Sequence, residues 1–290
     1  MDWDRVKKSR SFQNGALTYM EVAQRVLSGY GQSGVTDHAT GGACIPEFLL
    51  QYEESDWVFL RRLASHFGTY LLADATDACG KVYFGIPEIS YGTVLDRQDY
   101  TMEKDMLHYA RVLEKEGVLS QEASCWNVMV RFFLRMGETL TFNGIEAVVT
   151  AMRLHTEKGE LVYSYVLARR AGIRREKEKN PGIFGMSIPA TVMERSGNRI
   201  RVHFEIDPEY EASEKTKYFT YAIESSSFYC MPEEGSQVHI YFPDHDEQGA
   251  VAVHAIRSGE GASGSCSTPE NKRFSDPSGS AMLSLIHISE

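Results

Sequence analysis

The stretch QYEESDWVFLRRLASHFG, residues 51–68, carries Glu53, Glu54, Asp56, Arg61, Arg62 and His66. Carboxylates beside a histidine and arginines are the residue types of general acid/base work. That work needs groups converging on one pocket, in environments that push their pKa values apart. Spacing along one helix does not supply convergence. Trp57, Leu60, Ala64 and Phe67 recur at helical spacing, with Phe59 and Leu63 beside them. The segment therefore predicts one amphipathic helix whose charged residues form a solvated face opposite that stripe. Ser55 is the expected helix cap, Asp56 suits the first turn, and Gly68 is a natural terminator.

Other candidate chemistry is thinner. His203, His239 and His254 fall on three different predicted strands, but zinc wants closely spaced pairs such as HxxxH or CxxC, and the sequence has neither. These read as solvent-facing strand histidines. His245 in DHDEQG sits among acids without the twelve-residue spacing of an EF-hand loop. The cysteines Cys44, Cys79, Cys125, Cys230 and Cys266 are scattered and odd in number, which predicts reduced thiols. GxSxG and P-loop motifs are missing, and the glycine-rich GEGASGSCS, although its first six residues spell GxGxxG, follows a strand with no helix behind it, so a phosphate cradle fails on context. No catalytic, cofactor-binding or metal-binding residue is assigned, no cofactor is expected, and the chain is not expected to be an enzyme.

These elements belong to a chain of 290 residues, long enough for two or three domains, with 42% hydrophobic and 11% aromatic residues to build cores. The net charge of −10 disfavours nucleic acid, whose phosphates are held by clustered Lys and Arg. The basic run Arg169, Arg170, Arg174, Arg175, Lys177 and Lys179 is interrupted by Glu176 and Glu178 and reads as a solvated linker, with an acidic docking partner as the alternative. No apolar run reaches the roughly 18 residues needed to cross a bilayer, and the start has no secretory pattern, so synthesis and folding in the cytoplasm are expected.

Periodicity supplies the scaffold. LTYMEVAQRVLSGYG places Tyr19, Val22, Ala23, Val26 and Tyr30 on one helical face. TYLLAD and KVYFGI predict a hairpin. From 123 to 170 the pattern is extended, with FNGI and TEKGEL as turns, which predicts an antiparallel β-domain. NRIRVHFEI alternates, with Ile200, Val202, Phe204 and Ile206 facing one way and Arg199, Arg201, His203 and Glu205 the other, and SQVHIYF repeats the device with Val238, Ile240 and Phe242. GAVAVHAI is a third such strand, and turns at RSGN, PEEG and DHDEQG predict a small closed barrel. Residues 181–257 hold 12 acidic and 6 basic side chains, a net of −6 that would repel phosphates.

The 51–68 segment also resembles the signature of the phage late-control protein D family and the VgrG spike proteins of contractile injection systems. Gln51, Tyr52, Glu54, Asp56, Trp57, Phe59, Leu60, Arg62 and Leu63 carry the match. RSFQ with LTYMEVAQRVL, then MGETLTFNG with KGELVYSYVLAR, resemble the family's hub. MPEEGSQVHIYFPDHDEQGAVAVHAIR is similar to its oligonucleotide/oligosaccharide-binding-like (OB-like) barrel, through Pro232, Gly235, Val238, Phe242 and Pro243. NKRFSDPSG resembles the entry to the spike shaft.

The resemblance implies a mainly β fold with a few helices (α+β): a hub over 1–172, a linker over 173–182, an OB-like barrel over 183–258, and a flexible segment with shaft entry over 259–290. It implies a structural homotrimer that caps a tail tube, with tube and baseplate proteins, a spike tip or a secreted effector as partners. The target membrane would be reached only through the spike. Such a protein is made in the cytoplasm and assembled into a virion tail or injection apparatus. Only residues 1–9 precede the RSFQ element and SLIHISE does not fit the shaft pattern, so a hub incomplete at its start, a truncated shaft and non-native last residues are expected. The alternative is a carbohydrate- or effector-binding OB-fold module, with Tyr218, Tyr221, Phe228 and Tyr229 as an aromatic groove.

Overall fold

The computed structural model describes residues 2–31, 34–74, 76, 80–157, 159–222, 231–256, 272–275 and 281–284. The chain divides into two units: Met1–Met186 with Ile206–Lys217 and Phe242–Ala250, and Ser187–Glu205 with Tyr218–Tyr241 and Val251–Glu290. Strands dominate and helices are few, the mainly β class that the alternating patterns predict.

The first unit begins with β1 (Lys7–Phe12), helix α1 (Tyr19–Leu27), β2 (Gly34–Asp37), β3 (Leu49–Ser55), helix α2 (Asp56–Ser65), β4 (Leu71–Ala73) and β5 (Lys81–Phe84). Thr18 and Glu21 close a capping box at the start of α1, satisfying backbone N–H groups that have no partner within the helix. Tyr19, Val22, Ala23 and Val26 are buried, as the periodicity predicts; Leu27 is buried as well, and Tyr30 is half-buried against the same core. β1 pairs antiparallel with β3, while β5 lies between β2 and β4. The hairpin expected from TYLLAD and KVYFGI is the β4–β5 pair. Phe12, Val22, Leu49, Phe59, Leu60, Leu63 and Phe84 share one core cluster.

A six-stranded sheet follows, built from β6 (Ile89–Leu95), β7 (Tyr100–Lys104), β8 (Ser124–Val130), β9 (Glu138–Phe142), β10 (Ile145–Glu157) and β11 (Glu160–Ala168), in the order β6-β9-β10-β11-β8-β7. The β9–β10 turn is Asn143-Gly144 with φ of 46° and 76°, the positive values a two-residue hairpin turn requires. The sheet is not wholly antiparallel, because β6 runs parallel to β9. The β6 and β7 strands occupy opposite ends of this order, yet residues 96–99 alone connect them. Four residues reach about 17 Å, whereas six flat strands span about 24 Å, so the sheet must curl. Accordingly the Arg97 guanidinium donates to the Met129 carbonyl on β8 at 2.7 Å, and the Tyr100 ring meets Phe142 on β9 edge-on at 5.3 Å.

The second unit contains β12 (Ser187–Ser196), β13 (Arg199–Phe204), β14 (Tyr218–Thr220), β15 (Gln237–Tyr241) and β16 (Val251–Ile256), in the order β14-β13-β12-β15-β16. A parallel bridge between Tyr221 and Ala252 joins the two ends and closes an OB-like barrel. Ile200, Val202, Phe204, Phe219, Val238 and Ile240 fill it. His203, expected to face solvent, is buried at 8% exposure. Two further strands, β17 (Lys272–Ser275) and β18 (Ala281–Ser284), pair antiparallel.

Candidate functional site

Residues 51–68 do not form one helix. Gln51, Tyr52, Glu53 and Glu54 belong to β3, and α2 starts at Asp56, with the Ser55 hydroxyl accepting from the Val58 N–H at 3.2 Å as the predicted cap. Glu53 sits at φ +49°, beside a register shift in the β1–β3 ladder. Phe59, Leu60 and Leu63 are wholly buried, while Trp57 is half-buried against the same cluster.

The expected solvated face survives only at Glu53, which is exposed, and at Arg61, whose side chain is 40% exposed. Gln51 and Asp56 are 0% exposed, Arg62 2% and Glu54 8%. Charges removed from water must be paired and hydrogen-bonded, and these are. The Asp56 carboxylate accepts from the Lys8 ammonium at 2.6 Å, the Tyr30 hydroxyl at 2.6 Å, the Gln51 amide at 2.9 Å and the Arg10 guanidinium. Burial alone would raise its pKa. The donors from Lys8, Tyr30 and Gln51 and the Arg10 charge outweigh that and hold it below the usual carboxylate value.

Arg62 anchors the other side of the frame. Its Nε and Nη2 donate to the two Glu54 oxygens at 3.0 and 2.9 Å, Nη2 also reaches the Leu50 carbonyl at 2.7 Å, and Nη1 meets the Glu247 carboxylate at 3.2 and 3.3 Å. Two buried carboxylates thus share one guanidinium. Burial would lower the Arg62 pKa, but the charges of Glu247 and Glu54 raise it. Burial pushes Glu54 up despite Arg62, and the Glu247 charge adds to the rise. His66 is pushed down to about 4 by burial, then by Lys177 and Arg62, and its Nδ1 lies 2.9 Å from the Tyr19 hydroxyl.

The basic run is not a solvated linker either. The Arg175 N–H donates to the Gly68 carbonyl at 3.0 Å, the Glu178 N–H to the Ser65 hydroxyl at 2.8 Å, and the Asn180 amide to the Tyr52 carbonyl at 2.9 Å. Arg174 pairs with Glu116, Arg175 with Glu178, and Lys179 with Asp246. Arg170 donates to the Ile86 and Pro87 carbonyls and the Thr139 hydroxyl. The polar face of α2 is therefore roofed by segments more than a hundred residues away in sequence.

Among the barrel positions that carry the resemblance, Pro232 is buried, Val238 and Phe242 are wholly so, and Pro243 is exposed. Gly235 has φ +83° and donates its N–H to the Val192 carbonyl at 2.8 Å. Phe242 stacks on Phe48 at 6.4 Å. His203, His239 and His254 form no ligand set, and among the described residues no cluster of three His, Cys, Asp or Glu side chains could hold a metal. Tyr218 and Tyr221 are half-buried, the Tyr218 ring lying against Arg199 and Arg201. Phe228 and Tyr229 lie outside the described residues, as do Cys79, Cys230 and Cys266.

This arrangement of unit, curled sheet and closed barrel has counterparts among solved structures. The E. coli c3393 protein, a component of the type VI secretion system with structural similarity to the T4 bacteriophage tail proteins gp27 and gp5, superimposes with a TM-score of 0.63, at 14% identity over 88% of this chain and 75% of that one. The chain has the fold of a VgrG/phage baseplate hub-type protein. A chain of the Francisella PdpA–VgrG complex also aligns, with a TM-score of 0.54 and 9% identity over 98% of this chain and 65% of that one. No protein-family model and no curated protein sequence matches the chain.

Within the VgrG-type fold, several residues of the polar frame carry no local sequence signal. Lys8, Arg10 and Tyr30 reach Asp56 from β1 and the turn after α1, and Glu247 reaches Arg62 across 185 positions of sequence. The alternation in KKSRSF is the one local cue that, read as a strand, brings Lys8 and Arg10 to one face.

Proposed function

We propose that this chain is a structural hub component of a contractile injection machine, one that self-associates as a homotrimer, continues the tail tube and carries a membrane-piercing spike. Its partners on this reading are copies of itself, tube and baseplate proteins, and a spike tip or secreted effector. Its place is an assembled virion tail or injection apparatus. The observation that carries the reading is what the signature's ionisable residues are used for. Asp56, Glu54 and Arg62 spend their polar atoms on partners within one unit, as framework rather than chemistry. The fold shared with c3393 over 88% of the chain supports it. The test is the mass of the purified full-length protein in solution by light scattering at micromolar concentration. A trimer of about three times the 32.7 kDa chain is expected. A monomer across the whole micromolar range would remove the proposal.

A further inference from the structure

The β10–β11 hairpin is longer than the sheet that holds it. β9 pairs with β10 only over Ile145–Val148, and β8 pairs with β11 only from Tyr163 onward. His155–Glu157 of β10 and Glu160–Val162 of β11 therefore pair only with each other, and Arg153–Glu157, which have β11 as their one strand partner, are all exposed. A two-stranded ribbon is marginally stable by itself in water. This one also places Glu157 opposite Glu160, a like-charge pair, and leaves Leu154 50% and Leu161 56% exposed.

The strand β7 is its counterpart. It is a sheet edge whose five residues are all exposed, Met102 at 61%, and its register with β8 is regular, without the bulge or proline that guards such an edge. Of the two sheet edges, β6 carries a register shift between Ser90 and Val94, so β7 is the regular one, with Glu103 and Lys104 as the charges along it.

We infer that the 153–157 edge of β10 in one copy pairs antiparallel with β7 of the next copy, closing a head-to-tail ring. The inference rests on the self-association proposed above and assigns its interface. Strand direction favours a second copy as the occupant. The three antiparallel pairings from β7 through β8 and β11 to β10 make β7 and β10 run oppositely within the sheet. Copies related by a rotation about an axis along the strands therefore present the two edges antiparallel, the heterologous contact that closes into rings.

Side-chain pattern then selects a register. Met102 stands opposite Trp126, and Leu154 opposite Tyr163, so both lie on the face that lines the curled sheet's core. Keeping that face continuous requires Met102 opposite Met152, Leu154 or Thr156. Only the Leu154 register also sets Glu103 against Arg153. The Glu103 carboxylate has one partner among the described side chains, the Asn127 amide at 3.0 Å, and no described acid pairs with Arg153.

Full-length Glu103→Arg, Arg153→Glu and the double exchange test this by light scattering across micromolar concentrations. Each single reversal places like charges together and is expected to weaken assembly by about tenfold or more. The double exchange is expected to return it to within about threefold of the parent. If the parent assembles and all three variants assemble equally well, this interface is wrong while the proposed function stands. If the parent never assembles, both fall. Should a reversal shift the denaturation midpoint, oxidation of the Met102→Cys/Leu154→Cys double variant decides. Covalent oligomers absent from either single cysteine variant support the pairing, and their absence in an assembled sample overturns it.

Discussion

Replacing Arg62 with methionine removes a buried cation and keeps most of its apolar stem. The carboxylates of Glu54 and Glu247, 8% and 5% exposed, would then face each other without a countercharge, and the Leu50 carbonyl would lose its side-chain donor. Removing one partner of a buried ion pair costs about 3–5 kcal/mol, a large share of the roughly 5–15 kcal/mol by which a domain is stable. The deficit should be smaller in acid. The Glu54 carboxyl already binds its proton above the usual range, because burial and the Glu247 charge oppose ionisation. Without Arg62 it rises further, so protonation relieves the repulsion as pH falls from 7 toward 5. The triple variant Glu54→Gln, Arg62→Met, Glu247→Gln carries no buried charge there and should recover about half the loss or more at pH 7. Trp3, Trp57 and Trp126 all lie in the first unit, so tryptophan fluorescence in a urea titration reports that unit alone. An Arg62→Met variant within about 1 kcal/mol of the parent, or a triple variant no better than the single one, would refute the claim that this network is held by charge pairing.

Three further perturbations follow from the same frame. His66 is neutral when folded, with a pKa pushed down to about 4 against an ordinary 6.5. Its contribution is therefore complete above pH 6.5 and lost as pH falls from 6.5 to 4, up to about 3 kcal/mol. Stability of His66→Gln across that window should have a flatter slope, and superimposable curves would contradict the assignment. Asp56 has the opposite sign: its pKa is depressed, so its contribution is present above about pH 3.8 and lost below. Asp56→Asn should cost about 2–3 kcal/mol at pH 7, discounted because Lys8 and Arg10 stay partly exposed, and less as pH falls below 3.8. Gly137 has φ +78°, and a Cβ there would lie 2.6 Å from the Pro87 ring. Gly137→Ala should lower the urea midpoint by an amount equivalent to about 2 kcal/mol or more, and an unchanged midpoint would show that the β9 entry is loosely packed.

Much of the scaffold was legible because its signals are local. The Asn143-Gly144 turn, the alternation of Ile200, Val202 and Phe204, and the cap at Ser55 depend on residues within a few positions of one another. The boundary at 51–55 was not, because β3 buries both faces: Leu49, Leu50 and Gln51 are all inaccessible, so no period of two survives. The stripe beginning at Trp57 then extends backward without any contrary cue. His203 deceived for a related reason. Its neighbours alternate cleanly, but a residue on the outer face of a small barrel is buried whenever something covers it, and strand period carries no information about cover.

The charged residues of α2 pose the sharper question, since a raised glutamate, a neutral histidine and a depressed aspartate within one helix and its flank are what an acid/base centre also shows. Perturbed pKa values arise equally from structural ion pairs, so the shifts alone decide nothing. Partner accounting does. A catalytic carboxylate keeps a lone pair directed at the space where a substrate sits. Asp56 receives Lys8, Arg10, Tyr30 and Gln51, and Arg62 divides its donors among Glu54, Glu247 and Leu50. Both hold fixed partners supplied by β1, the turn after α1, β3 and the 242–250 segment of the same unit. Three open clefts of the molecule are lined by other residues, such as Tyr83 and Arg170 or Tyr70 and His108, and no residue of the 51–63 signature borders them. A network so satisfied resists rearrangement, because shifting any member strands a buried charge.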